Sequence, residues 1–159
     1  LASVEHLIET DPPRAAAMQR SLISYLRAVL PRFAAAGVRV GLEAINRHDM
    51  PGFLLNTPAD LAEVWAALGC HPLLDGQIDL YHMAREGQDL PALLAQPPLP
   101  IGHLQFADCP GRGAPGSGAL DWPRLFALID QHYPDTYCAA EYRMDAHAQL
   151  DVRAGWPLR

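Results

Sequence analysis

Four short apolar runs, each carrying a carboxylate or carboxamide at or next to its end, set the narrowest limits on how this chain can fold. They cover residues 38–43, 74–79, 101–106 and 137–142, and the polar residues are Glu43, Asp79, Gln105 and Glu141. Successive side chains of a strand point to opposite faces. Val38, Val40 and Leu42 therefore share one face, and Arg39, Gly41 and Glu43 the other. The same alternation groups Gln77 with Asp79, Ile101 and His103 with Gln105, and Tyr137 and Ala139 with Glu141. Each strand is thus apolar on one face and small or polar on the other. The four polar residues are 36, 26 and 36 positions apart, room each time for a loop, a crossover helix and the next parallel strand.

Helical patterns fill those intervals. Residues 1–13 read as a loop that closes on Asp11 and two prolines. From Arg14 to about Ala36, Met18, Leu22, Leu26, Val29, Leu30 and Phe33 recur at helical spacing, with Pro31 expected to kink or split the helix and Gly37 to end it. Thr57 followed by Pro58 and Asp60 reads as a capped helix start, with Leu61, Val64, Trp65 and Leu68 as its buried stripe and Gly69 as its stop. Asp89 caps a short helix over 90–94, and Asp121 caps another that turns Leu125, Phe126 and Ile129 inward. The tail beyond Arg143 has no clear pattern.

Strictly alternating helix and strand imply a parallel sheet with crossover helices. An apolar outer face and a small or polar inner face are what a barrel strand needs, since helices pack outside and the last inward residue lines the mouth. The expected fold class is α/β, of the (β/α)8 TIM-barrel type. This chain would supply four βα units, the second half of a barrel, as a single domain over residues 1–159. The first residue is Leu rather than Met, in keeping with a chain that continues upstream. An open half-sheet of this kind would have two exposed edges.

Composition excludes several chemistries. All twelve basic residues are Arg; without Lys there is no amine for a Schiff base or for anchoring pyridoxal phosphate. No GxxxxGK[ST], GxGxxG or GxSxG occurs, so nucleotide-loop and serine-hydrolase readings have no foothold. A net charge of −6 argues against nucleic acid or an anionic membrane as partner. There is no run long enough for a membrane-spanning helix and no signal-peptide pattern. Cys70, Cys109 and Cys138 read as reduced thiols, and the chain as a cytoplasmic protein.

If the strands align, Glu43, Asp79, Gln105 and Glu141 converge at one mouth. Three carboxylates and an amide oxygen make a hard, oxygen-rich set that suits Mg²⁺ or Mn²⁺ better than Zn²⁺. Acidic residues at strand ends can also merely cap helices or meet solvent. The third strand then opens into a loop too rich in Gly and Pro for helix or strand, from Ala107 to Gly118.

Five ordered blocks carry a family resemblance: EAINRHDMPGF at 43–53, DLYHM at 79–83, IGHLQFADCPGR at 101–112, PGSG at 115–118 and EY at 141–142. Over residues 14–142 the chain resembles the hydroxypyruvate isomerase family of the xylose-isomerase-like TIM barrels, which is also similar to ketose 3-epimerases. The resemblance implies that Glu43, Asp79, Gln105 and Glu141 are metal ligands and that Glu43 and Glu141 form a proton-transfer pair. It puts His82 and Arg112 where relatives contact substrate oxygens, with Asp49 a further substrate contact. His82 could equally orient Asp79, and Arg112 could be a solvated loop residue. His103, one layer below Gln105, reads as a hydrogen-bonded barrel histidine. Where the family often has an acidic residue and a Lys, this chain has Ala114 and Arg143.

What the resemblance implies is an isomerase that converts hydroxypyruvate to tartronate semialdehyde through an enediolate, acting on a small hydroxy-keto acid or sugar, with a homo-oligomer as one form it could take. A 2-oxo-tetronate isomerase and a ketose 3-epimerase are alternatives on the same fold. A non-catalytic half-barrel serving as an assembly module is the alternative of another class. A multizinc endonuclease fits poorly, because the chain is acidic and has too few His at strand ends.

Overall fold

The computed structural model describes residues 12–143, so the first eleven residues of the expected opening loop and the tail beyond Arg143 lie outside the described residues. Within them the chain alternates as α1 (Pro12–Ala35), β1 (Val40–Glu43), α2 (Pro58–Ala67), β2 (Leu74–Asp79), α3 (Leu80–Arg85), α4 (Leu90–Ala95), β3 (Ile101–Phe106), α5 (Trp122–His132) and β4 (Cys138–Ala140). The strands form one parallel sheet in the order β1-β2-β3-β4.

The helix-facing side of the sheet holds the core. Leu42, Leu74, Ile78 and Leu104 meet Leu61 and Val64 of α2, Leu94 of α4, and Leu125 and Phe126 of α5, all buried. Each such side chain contributes about 1.5–3 kcal/mol by leaving water. Trp65 and Leu68, expected in the α2 stripe, pack against this cluster half-buried. Thr57 starts α2 with a reciprocal box: its hydroxyl accepts from Asp60 N while the Asp60 carboxylate accepts from Thr57 N.

Five sequence-based expectations need correction. First, α1 begins at Pro12, inside the expected loop, because the first turn of a helix has no use for the N–H that proline lacks. Second, of the kink or split expected at Pro31 the split does not occur, since α1 continues to Ala35; the carbonyl that proline cannot serve belongs to the exposed Arg27, where water can reach it. Third, β1 starts at Val40 rather than Val38. Val38 N donates back to Phe33 O while Gly37 N donates to Ala34 O, with Gly37 at φ 67°. This closing motif uses up the Val38 N–H.

Fourth, Ile101 does not share a face with His103 and Gln105. In the β2–β3 ladder Gly76 pairs with Ile101 but Gln77 pairs with His103, so Gly102 is one residue extra. This bulge reverses the alternation below it, and Ile101 joins the helix-side apolar cluster. A Cβ on Gly102 would stand 2.6 Å from the Asp75 carboxylate, so glycine is what lets the extra residue in. Fifth, β4 is confined to Cys138–Ala140, leaving Tyr137 84% exposed and Glu141 just beyond the strand end. Glu141 N still donates to Phe106 O, which keeps it in register with β3.

Candidate active site at the carboxyl ends of the strands

The sheet delivers its polar ends to one place. Glu43 and Asp79 are the last residues of β1 and β2, and Gln105 lies opposite Asp79 in the ladder. Gln77 pairs with Glu43 across β1–β2 and donates from Nε2 to Gln105 Oε1 at 2.6 Å. It also hydrogen-bonds Glu43, so one amide ties two of the expected ligands together and leaves Gln105 Oε1 a free lone pair. Alternation put Gln77 on this face, but nothing in its type marked it as the bridge.

Asp79 is fully buried. Its Oδ1 accepts from Tyr81 N at 2.9 Å and thereby caps α3, the helix that carries Tyr81 and His82. That six-residue helix is too short for a periodic signal, although its Asp cap and the Gly87 stop stand in the sequence. Asp79 Oδ2 is also buried and has no hydrogen-bond partner. Arg112 Nη2 and His82 Nε2 each lie 3.6 Å from it. A buried carboxylate oxygen without a donor is costly unless a cation sits against it. Ligand atoms of Glu43, Asp79 and His82 lie within 4.8 Å of one another, and the two carboxylates are close enough to share one ion. The donor set thus fits a divalent cation.

Glu141, 47% exposed, stands outside that cluster and takes Arg112 Nη2 on its Oε1 at 3.2 Å. The same Nη2 faces Asp79, so one guanidinium lies between two carboxylates. Arg112 has φ 55°, and its Cζ sits 5.2 Å from the centre of the Tyr81 ring, a cation–π contact. The main chain on either side is also fixed, since Arg143 N donates to Arg112 O.

Charge crowding shows in the acid strengths. Burial pushes Asp79 up to about 6; the Tyr81 N–H and Arg112 pull against it, while Glu141 and Glu43 add to it. Glu43 is also raised, by burial first and then by Glu141, with Gln77 and Arg112 opposing. Burial, and next Arg112, hold His82 below its ordinary value. Burial and Asp49 push the Tyr81 phenol up to about 12.

The remaining expected contact, Asp49, is held by neighbours. Its Oδ2 accepts from Tyr81 Oη at 2.6 Å and Asn46 Nδ2 at 3.1 Å, and its Oδ1 lies 3.8 Å from Arg85. His82 is 3% exposed, with Nδ1 2.6 Å from Asn46 Nδ2. His103 is half-buried one layer down. Sequence reasoning assigned no part to two further buried residues, Asn46 and Asp108. Asp108 organises the Gly-rich loop that bears Arg112, and its place two residues beyond the end of β3 was the one available signal.

Comparison with known proteins agrees with this architecture. The model of the family described as xylose isomerase-like TIM barrel matches residues 4–156. Hydroxypyruvate isomerase from Escherichia coli (strain K12) is 31% identical over 139 residues, covering 87% of this chain and 54% of that protein. The 2-oxo-tetronate isomerase from Cupriavidus necator is 36% identical over 123 residues, covering 77% and 46%. Among solved structures, 3-keto-D-glucoside 4-epimerase from E. coli superposes with a TM-score of 0.75 at 28% identity, over 84% of this chain and 49% of that one. A Brucella melitensis protein described as an AP endonuclease of family 2 gives 0.75 at 26%, over 80% and 49%. The chain spans about half the length of the curated relatives it matches.

Proposed function

Because this chain belongs to the xylose isomerase-like TIM barrel family, we propose that it supplies the acid–base face of an isomerase for short hydroxy-keto acids, with hydroxypyruvate as substrate and tartronate semialdehyde as product. The observation that carries the reading is the fully buried Oδ2 of Asp79, which has no hydrogen-bond partner and stands close to Glu43 and to Arg112, the guanidinium that also meets Glu141. Two relatives bearing isomerase names support it.

Glu43, Asp79, Gln105 and Glu141 would hold a divalent cation, Mg²⁺ or Mn²⁺ in preference to Zn²⁺ for a set of oxygens. When bound, it supplies charge stabilisation to the oxygens of an enediolate. The chain's own residues move the proton. One glutamate takes a proton from C3 of hydroxypyruvate, the C2–C3 enediolate forms, and a proton returned to C2 gives the aldehyde. The C3 hydroxyl hydrogen passes to the C2 oxygen in the same conversion, so the product is an isomer. Glu43, whose pKa is raised by burial and then by Glu141, is made the stronger base by that shift and so suits the proton-accepting role. Arg112 clamps the substrate carboxylate, His82 donates to a substrate oxygen, and Asp49 serves by holding Tyr81 beneath Arg112.

The likeness to a 3-keto-D-glucoside 4-epimerase favours a second reading in which the proton returns to the opposite face of the carbon it left. Turnover in D₂O separates the two. Deuterium at C2 of an aldehyde product, dependent on Mn²⁺ or Mg²⁺ and abolished by Glu43→Gln and Glu141→Gln, supports the isomerase. Mn²⁺ binding without turnover of hydroxypyruvate, but with deuterium exchange into a free ketose, favours the epimerase. Failure to bind Mn²⁺ overturns both and leaves a non-catalytic half-barrel.

A further inference from the structure

Asn46 lies three residues beyond Glu43 and is fully buried. Its amide orientation is fixed from two sides. Oδ1 accepts from Asp49 N at 2.8 Å, and Nδ2 donates to Asp49 Oδ2 at 3.1 Å. Turned over, the amide would set its oxygen against a carboxylate and its NH₂ against an N–H. With the orientation settled, Nδ2 stands 2.6 Å from His82 Nδ1, and the Asn46 main-chain N–H points to the same nitrogen at 3.4 Å. Two donors facing Nδ1 require a lone pair there, so the ring hydrogen of the neutral imidazole is on Nε2. Nε2 is the nitrogen turned towards Asp79 Oδ2.

We infer that Asn46 is a positioning residue that locks His82 as the Nε2–H tautomer, presenting a hydrogen-bond donor rather than a lone pair to the site. The same amide anchors Asp49, which takes the Tyr81 hydroxyl, and Arg112 lies over the Tyr81 ring. One buried side chain thus sets both groups offered to substrate oxygens. A donor at Nε2 also withholds His82 from a cation shared by Glu43 and Asp79, despite the short distances among the three. The use of that N–H by a substrate oxygen rests on the isomerase reading above; the tautomer does not.

The test reads the tautomer directly, with no substrate. Long-range ¹H–¹⁵N correlation on the ¹⁵N-labelled, metal-free chain at pH 8 is expected to give the Nε2–H pattern for His82. Asn46→Asp keeps the shape but replaces the donor by an acceptor, so the pattern should switch to Nδ1–H. Asn46→Ala, which removes the bias, should give a mixture and serves if the aspartate variant fails to fold. An Nδ1–H pattern in the unsubstituted chain overturns the inference, as does an unchanged pattern in both variants. If the isomerase reading is right, Asn46→Asp should also lower kcat about 10–100-fold, the loss typical when a residue that orients a group at a metal site is changed. A fall in kcat with the wild-type tautomer intact would again count against it.

Discussion

The indole N–H of Trp122 donates to Asp108 Oδ2 at 2.8 Å, tying the first residue of α5 to the loop that leaves β3. Asp108 is 1% exposed and also accepts from Cys109 N, Gly116 N and Leu120 N. Its carboxylate therefore folds the segment that carries Arg112 into a closed turn. Burial would raise its pKa, but the Trp122 bond and the backbone donors outweigh that and hold it below the ordinary carboxylate value. Asp108→Ala should cost about 3 kcal/mol, since hydrogen bonds to a charged group contribute about 1.5–3 kcal/mol and their donors are left unmet. That corresponds to a fall in Tm of about 6–12 °C. With its pKa lowered on folding, the Asp108 contribution is present above the unfolded-state pKa and lost as pH falls through the folded one. The gap between wild type and variant should accordingly close in acid, as thermal melts across pH would record.

Asp79 should behave in the opposite sense. Its pKa rises from 3.8 to about 6 on folding, so the unfolded chain ionises first as pH rises. The favourable state is the protonated one, fully present below pH 3.8 and lost on passing through about 6. Above that, ionised Asp79 costs the cation-free fold about 3 kcal/mol. Asp79→Asn should thus stabilise the cation-free chain at pH 7–8 and make no difference below about pH 4. Urea melts at the two pH values check this; a destabilised variant at pH 8 would mean that Oδ2 has a partner after all.

Adding Mn²⁺ should reverse that ranking. At about a hundred times its Kd, a ligand specific for the native state adds about 2.7 kcal/mol, or roughly 5–11 °C in Tm for a chain of this size. Asp79→Asn and Glu43→Gln should abolish the gain, whereas His82→Gln should keep most of it, because His82 turns a donor to the site. Pulsed electron paramagnetic resonance of the Mn²⁺-loaded chain should correspondingly show no coupling to a histidine nitrogen. A strong nitrogen coupling lost in His82→Gln would put His82 in the ligand set.

What the sequence made legible is what alternation and spacing encode. Glu43 and Asp79 are the terminal residues of their strands, and Gln105 faces Asp79, as period-two counting from the apolar runs requires. The Gly102 bulge escaped, because an inserted residue leaves no trace in composition and shows only when β2 is laid beside β3. Asn46 and Asp108 escaped for a related reason. Each is a small polar residue in a loop, and its importance lies in partners 36 and 14 residues away, His82 and Trp122. Arg112 was legible as a residue type in a Gly-rich loop, but its position between Asp79 and Glu141 depends on how Asp108 closes that loop.

Arg112 therefore offers the sharpest test of substrate class. Its Nη2 spans Asp79 and Glu141, at 3.6 and 3.2 Å, and the guanidinium lies over Tyr81. A substrate carboxylate arriving there would meet a planar fork already oriented by an aromatic face, whereas a lysine offers a single point charge. Arg112→Lys should raise KM for hydroxypyruvate about 10–100-fold, the loss of about 1.4–3 kcal/mol expected for one charge-assisted bond, and change kcat much less. For a neutral ketose of similar length the same substitution should change KM less than threefold. Steady-state kinetics on the two substrates decide the matter. An equal loss on both would mean that Arg112 acts by balancing Asp79 and Glu141 rather than by gripping an anion, and the preference for a keto acid would have to come from elsewhere in the site.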